Sequence, residues 1–254
     1  MPIIVKSQNE ISIMREAGRH LAEVLQMLVD ATRPGLMEVE LDEIVRREYK
    51  KRDLIPTFLG YPHSGENDFP ATVCISVNDK IVHGIPSKRE FEEGDIVSID
   101  LGCTYKGFVA DSARTIGVGD IGPDKQKLID VCCEALWRGI GASRGGARVG
   151  DIGHAIQTYV ESEGLSIVRE YVGHGVGRNM HEDPQIPNYG TPGTGPILRP
   201  GMVIAIEPMV NMGTWQTKKE TDFWTVRTKD GSLSAHFEHT LAITEGEAEV
   251  LTLP

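Results

Sequence analysis

The sequence predicts a mixed α/β (α+β) fold made of two similar halves, each running helix, helix, strands, with the sheets packed together centrally and the helices outside. Two internal matches carry the prediction. Ala31-Thr32-Arg33-Pro34-Gly35 and Ala142-Ser143-Arg144-Gly145-Gly146 each follow a long helical stretch, and Leu41 and Ile152 stand at the same distance beyond the last glycine of each. Further on, Gly94 to Asp100 (Gly-Asp-Ile-Val-Ser-Ile-Asp) matches Gly201 to Glu207 (Gly-Met-Val-Ile-Ala-Ile-Glu), so each half has an apolar strand ending in an acid. No low-complexity linker divides the chain, so residues 1–254 are expected to form one domain, with halves of about 1–120 and 121–254.

The elements follow from local signals. Ser7 with Glu10 three residues on is a capping box that opens a helix through about Val29. Arg33-Pro34-Gly35 ends it, and a second helix is expected from Leu41 to Arg52. Thr72 to Val77, Ile96 to Leu101 and Phe108 to Ile116 are rich in apolar and β-branched residues and predict strands. Asp124 to Ala142 is a third helix, stopped by Gly145-Gly146, and Gly150 to Glu163 a fourth. From Ile167 the pattern is short strands and glycine-rich loops.

With 40% hydrophobic and 25% charged residues the chain can bury a sizeable core. No apolar run approaches the roughly 20 residues of a membrane helix, and no secretory signal is visible, so the expectation is no membrane and a cytoplasmic location. Cys74, Cys103, Cys132 and Cys133 form no CxxC pair and are read as reduced thiols. A net charge of −11 argues against DNA binding. The run Arg46 to Arg52 is the exception. It is either the solvated face of a helix or a contact patch for ribosomal RNA. Nothing demands a dimer, so a monomer is expected.

The chemistry lies in acids and histidines. A hairpin centred on Tyr105-Lys106 would set Asp100 directly opposite Asp111, and a long hairpin centred near Asp222-Phe223 would set Glu207 opposite Glu238. Opposed carboxylates repel across a sheet. Four of them converging from two halves have one economical explanation, divalent cations. His174 and His181, in Gly173-His-Gly-Val-Gly-Arg-Asn-Met-His181, add imidazole, and the glycines there suggest backbone passing close to something bulky. Imidazole with carboxylate suits Mn, Fe, Co or Zn better than Mg or Ca. His83 sits in a turn-like segment. His20, His63 and His154 are read as structural or surface residues, and His236 and His239, flanking Glu238, as support behind the acids.

Val82-His-Gly-Ile-Pro86, Ile99-Asp-Leu-Gly102, Asp111-Ser-Ala-Arg-Thr115, Gly173-His-Gly-Val-Gly177, Ile206-Glu-Pro-Met209 and Phe237-Glu-His-Thr240 occur in an order that resembles type I methionine aminopeptidases, over about Ile11 to Thr244. The resemblance implies the pita-bread fold with pseudo-twofold halves. It implies two divalent ions (Co, Mn, Fe or Zn) held by Asp100, Asp111, His174, Glu207 and Glu238, with Asp111 and Glu238 bridging. His83, His181 and Glu207 would be catalytic, acting on a substrate attacked by a water shared between the ions. Tyr61, Phe69, Cys74, Met180 and Trp224, with the two histidines, would receive the N-terminal methionine of a nascent polypeptide whose second residue is small and uncharged. The short stretch between His181 and Glu207 leaves no room for the helical insert of type II enzymes, and no cysteine-rich leader precedes the domain, which matches the short bacterial form. One departure is the segment Tyr61 to Phe69, longer than in the shortest relatives. The competing readings are another hydrolase of this fold, proline-specific or of the creatine amidinohydrolase kind, and a binding module of the same fold that has lost catalysis.

Overall fold

The computed structural model describes residues 2–62 and 67–254. His63 and the middle of the long Tyr61–Phe69 segment lie outside the described residues.

Helix α1 (Gln8–Ala31) opens with the expected capping box: the Ser7 hydroxyl accepts from the Glu10 N–H at 3.4 Å, and the Ser7 N–H donates to Glu10 Oε2 at 2.9 Å. Helix α2 (Glu38–Lys51) begins about a turn before Leu41. The reason is a cap the residue type at its start does not advertise. Met37 has no capping side chain, but Glu40 reaches back to the Met37 N–H at 2.8 Å. Helix α3 spans Gly122–Ala142 and α4 Val149–Ser162. At the start of α4 the device recurs, with the Arg148 N–H donating to Asp151 Oδ2 at 2.7 Å.

The two halves match bond for bond. Gly35 N–H donates to Phe91 O and Phe91 N–H to Leu36 O, both at 2.9 Å. In the second half Gly146 N–H donates to Leu198 O at 2.9 Å and Leu198 N–H to Ala147 O at 2.8 Å. The glycines that open the two matched strands, Gly94 and Gly201, both have φ of +90°.

The strands form a nine-stranded antiparallel sheet that runs through both halves. In the first half Val73–Val77 pairs with Ile96–Tyr105, which pairs with Phe108–Gly117. In the second, Glu238–Ala242 pairs with Val203–Ile206, then Gly173–Gly175, then Glu182–Ile186. The seam is the pairing of Phe108–Gly117 with Glu238–Ala242, which sets Glu238 opposite Ala113 and His239 opposite Ser112. Hydroxyls reinforce it: Thr240 Oγ1 donates to Asp111 O and Ser112 Oγ to Glu238 O, each at 2.8 Å. α1 and α2 cover the first-half strands around Leu21, Leu41, Ile99 and Leu101. α3 and α4 cover the second around Leu136, Ile152, Ile204 and Ile206. The other face of the sheet is left for a third, smaller apolar cluster that contains Phe69, Cys74 and Met180.

One expected register is corrected and one is found as expected. The short hairpin turns at Lys106-Gly107, with Tyr105 paired to Phe108, so Asp111 faces Gly102 and Asp100 faces Ala113. A two-residue turn with positive φ at both positions is met by Lys106 (φ +48°) and Gly107 (φ +80°), whereas a turn on Tyr105-Lys106 would need a bulky aromatic there. The two acids are therefore diagonal neighbours, not directly opposed. The long hairpin keeps a single centre at Asp222-Phe223 through all three of its paired stretches: Ile206 with His239, Met209 with His236, and Lys218 with Arg227.

Gly94 and Gly201 differ in their surroundings. A Cβ on Gly94 would lie no closer than 3.7 Å to any neighbour, while one on Gly201 would come within 2.7 Å of Val5 Cγ1 and 2.9 Å of the Lys6 carbonyl oxygen. We predict that Gly94→Ala lowers stability by about 1–2 kcal/mol, the cost of a left-handed residue with a side chain. Gly201→Ala should cost clearly more, because it adds a backbone clash. Urea unfolding of the two variants tests this, and equal losses would mean that packing around Gly201 contributes nothing.

Candidate active site

Alternation along the sheet sends five side chains to one face. Asp100 and Ala113 are partners, Ala113 and Glu238 are partners, and Asp111 is two residues from Ala113. Across the second half His174 pairs with Ala205, Ala205 with Thr240, and Glu207 lies two residues beyond Ala205. Period two therefore brings Asp100, Asp111, His174, Glu207 and Glu238 together on the face away from α1 and α3. His174 Nε2 lies 3.8 Å from Asp111 Oδ2 and 3.5 Å from Glu207 Oε1. Ligand atoms of Asp111, His174 and Glu238 all fall within 4.8 Å of one another.

The electrostatics call for a cation. Among the described residues that line this cluster there is no Lys or Arg. Asp100 Oδ1, Asp111 Oδ1 and Glu238 Oε1 are buried without a hydrogen-bond partner, a costly state for any carboxylate. Burial lifts the Asp100 carboxyl to about 7. Asp111 is raised by burial and by the charges of Asp100 and Glu207, Glu207 by burial and Asp100, and Glu238 by burial and Asp111. Burial also pushes His174 down to about 3, with His181 adding to it. Its close approach to the acids is thus not an ion pair: a neutral ring presents Nε2 as a lone pair. Nδ1 lies 3.0 Å from Gly175 O, where its N–H donates and fixes that tautomer. A neutral imidazole and four acids, three of them with unspent buried oxygens, fit divalent metal ions. Cys74 borders the cluster, but burial raises its thiol well above the usual range, so it offers no thiolate.

His83 and His181 stand beside the cluster. His83 has φ of +58°, unusual for a residue with a side chain. It is held by Gly84, whose position leaves no room for a Cβ against the Ile75 carbonyl, and by Ile75 N–H donating to Gly84 O at 2.8 Å. Its ring packs edge-on against Tyr171 and Trp224, and burial lowers its pKa to about 4. The His181 ring lies 4.4 Å from that of His174, centroid to centroid, and burial lowers its pKa too. The turn that carries it is anchored from below. Glu182 forms a buried ion pair with Lys6 at 2.8 Å and accepts from the Asn179 N–H at 3.3 Å.

A cavity of about 130 Å³ opens beside the acids. Tyr61, Phe69, Cys74, Met180 and Trp224 line it, as do His83 and His181. Phe58 also lines it, and sequence reasoning missed it. Gly102 makes room for that ring, since a Cβ there would meet Phe58 Cε1 at 2.8 Å. Phe58, Phe69 and Trp224 form a chain of edge-on rings, with centroids 6.4 and 5.2 Å apart. The ends of the long segment are pinned together, with Phe69 N–H donating to Tyr61 O at 3.0 Å and Gly60 N–H to Phe69 O at 2.9 Å. Its extra length therefore leaves both wall residues in place.

The remaining histidines divide. His236 is buried with Nε2 3.8 Å from Glu207 Oε2, behind the cluster as expected. His239 is on the opposite face of the sheet, with Nδ1 2.8 Å from the Thr252 hydroxyl and its ring against Trp137, because it alternates with Glu238. It supports nothing at the acids. His20 packs on Tyr105, and His154 is exposed. Gly173 and Gly175 are small because the Ala205 and Asp183 carbonyl oxygens each come within 2.4 Å of where a Cβ would stand, so the bulk they meet is neighbouring backbone.

The raised carboxyl of Asp100 sets a pH dependence. Between its unfolded value of about 4 and its folded value of about 7 the folded state binds more protons, so this stability is present at low pH and is lost as pH rises. We predict that the chelator-treated protein melts at progressively lower temperature from about pH 5 to about pH 8, and that Mn or Zn flattens the slope. A melting temperature independent of pH in the metal-free protein would contradict the charge repulsion described here.

Comparison with known proteins agrees with this geometry. A model of metallopeptidase family M24 matches residues 12–245. The chain is 52% identical to methionine aminopeptidase 1 of Bacillus subtilis over 98% of this chain and 99% of that one. A crystal structure of methionine aminopeptidase from Thermotoga maritima superposes with a TM-score of 0.96 at 45% identity, covering all of both chains. That from Rickettsia prowazekii gives 0.95 at 40% identity, over 99% of this chain and all of that one. With the pita-bread sheet, the five-residue cluster and full-length likeness in agreement, the chain belongs to metallopeptidase family M24, among the methionine aminopeptidases.

Proposed function

We propose that this enzyme removes the initiator methionine from nascent polypeptides whose second residue is small and uncharged. The observation that carries the reading is the mainly apolar cavity that opens directly onto five metal-fit side chains on one face of the sheet. Two divalent ions, Co, Mn, Fe or Zn, would be held by Asp100, Asp111, His174, Glu207 and Glu238, with Asp111 and Glu238 shared between them. When bound, they would activate water for attack and polarise the scissile carbonyl.

The chain's own residues do the rest. The cavity volume suits one unbranched side chain, and a wall of aromatic edges and sulfur favours a thioether. Only one residue fits before the acids, which restricts cleavage to the first peptide bond. Glu207, kept as the carboxylate once cations offset the neighbouring acids, takes the proton of the attacking water and passes it to the leaving amine. His181, neutral, donates to the carbonyl oxygen as charge develops there. His83, neutral above about pH 4 and fixed by its strained backbone, stabilises the leaving nitrogen.

The proline-specific, amidinohydrolase and inactive readings are not favoured. The full-length relatives are methionine aminopeptidases, and all five residues that the family resemblance implies as ligands are present and border the cavity. The proposed setting is a cytoplasmic monomer acting on emerging N-termini, with no DNA and no membrane. Among the described residues no helix is long and apolar enough to cross a membrane. Arg46 to Arg52 is the proposed ribosome contact, although Arg46 is tied to Asp42, and Lys51 and Arg52 to Glu48.

Two predictions test this reading. Asp111→Ala and Glu238→Ala should each lose both metals and nearly all activity, because each removes a ligand shared by both sites. Metal analysis after dialysis decides, and a full complement in either variant would sink the two-metal assignment. Peptides Met-Ala-Ser and Met-Leu-Ser should differ in kcat/KM by well over tenfold, since the second residue must fit between the His83 and His181 rings. A ratio within about threefold, under 1 kcal/mol of discrimination, would remove the steric account of specificity.

A further inference from the structure

The Tyr61 hydroxyl lies 2.6 Å from His181 Nδ1, with the two rings edge to face at 5.5 Å. A neutral imidazole has one N–H and one lone pair, and the partner of one nitrogen decides the state of the other. We propose that Tyr61 is a positioning residue: its O–H donates to Nδ1 of His181, so the imidazole proton resides on Nε2, the nitrogen left to donate to the scissile carbonyl.

Three observations support the direction of the bond. A phenol O–H is the stronger donor and an imidazole nitrogen the stronger acceptor, so O–H···N is favoured over N–H···O. Burial raises the Tyr61 pKa above its usual value, with the charge of Asp111 adding to it, so the phenol keeps its proton. The geometry also has no slack. The backbone of Tyr61 accepts from the Phe69 N–H, and the turn bearing His181 is tied down through Glu182 to Lys6, so neither ring is carried on a loose segment. His174 offers a contrast on the same sheet. Its Nδ1–H donates to a backbone carbonyl and Nε2 becomes the acceptor, fit for a metal. At His181 an acceptor at Nδ1 would give that same tautomer. A donor gives the opposite one and makes a hydrogen-bond donor of a ring 4.4 Å from the first. Tyr61 would thus separate two adjacent histidines into a ligand and an electrophile.

The inference rests on the proposed role of His181 as carbonyl donor, and the test separates the two. Ring ¹⁵N NMR of the zinc-loaded full-length protein, assigned with His181→Ala, should show His181 protonated at Nε2 and bare at Nδ1. Tyr61→Phe keeps the ring and removes only the hydroxyl. It should scatter that population between tautomers and lower kcat on Met-Ala-Ser by about threefold to tenfold, the size of one neutral hydrogen bond. KM should stay within twofold and metal content should not change, which a mere loss of pocket packing would not produce. A proton on Nδ1 in the unmutated protein overturns the proposal, as does an unaltered kcat in Tyr61→Phe. If instead the tautomer is as proposed but His181→Ala retains full kcat, the carbonyl-donor reading fails while the Tyr61 hydrogen bond stands.

Discussion

The structure turns on the burial of like charges. Asp100, Asp111, Glu207 and Glu238 are drawn into one site with no Lys or Arg among the described residues that line it. Each is pushed towards its protonated form by burial and most by one another. No soluble fold would collect them for stability alone, since an unpaired buried carboxylate costs several kcal/mol. The arrangement makes sense when a cation supplies the missing charge. The surrounding architecture then reads as its support: a neutral histidine with its lone pair aimed inward, a seam fastened by Ser112 and Thr240, and two helical layers covering the far face of the sheet.

The pseudo-twofold repeat explains how such a cluster can be built. Each half is a sound structure on its own pattern, with the same helix break, the same reach-back cap and the same glycine before its main strand. Asp100 and Glu207 are the matched strand-end acids of the two halves. The symmetry is broken where chemistry needs it. Each half adds a second acid on its seam strand, Asp111 and Glu238, and the second half alone adds a histidine. A shared site at a seam needs few specialised residues from either side.

Much of this was legible in the sequence for definite reasons. The Ser7 cap, the helix breaks and the matched glycine-to-acid strands are local signals, and they survive folding because packing agrees with them. The long hairpin was legible because its register never slips, so the spacing of Glu207 and Glu238 from its centre has a single meaning. The short hairpin misled because Tyr105-Lys106 and Lys106-Gly107 both look like turns, and only the second tolerates positive φ twice. Phe58 was invisible because a residue in an irregular segment carries no periodicity, and its partner Gly102 lies in a distant strand. His239 was misplaced for the simplest reason, that neighbours on a strand face opposite ways. The roles of His83, His181 and the cavity wall came from the family resemblance, not from spacing.

The central seam also has a consequence for how the molecule comes into being. The strand at Phe108–Gly117 waits for a partner that is made more than a hundred residues later. Pairings of such long range carry the larger loop-closure entropy cost. Glu238 meets Asp111 only through this pairing, so the electrostatic penalty of gathering the acids belongs to the seam. The same event that completes the sheet completes the ligand set. The pairing that joins the two halves of the sheet is thus also the one that sets Glu238 beside Asp111, so whatever loosens the seam also opens the site to which a cation would bind.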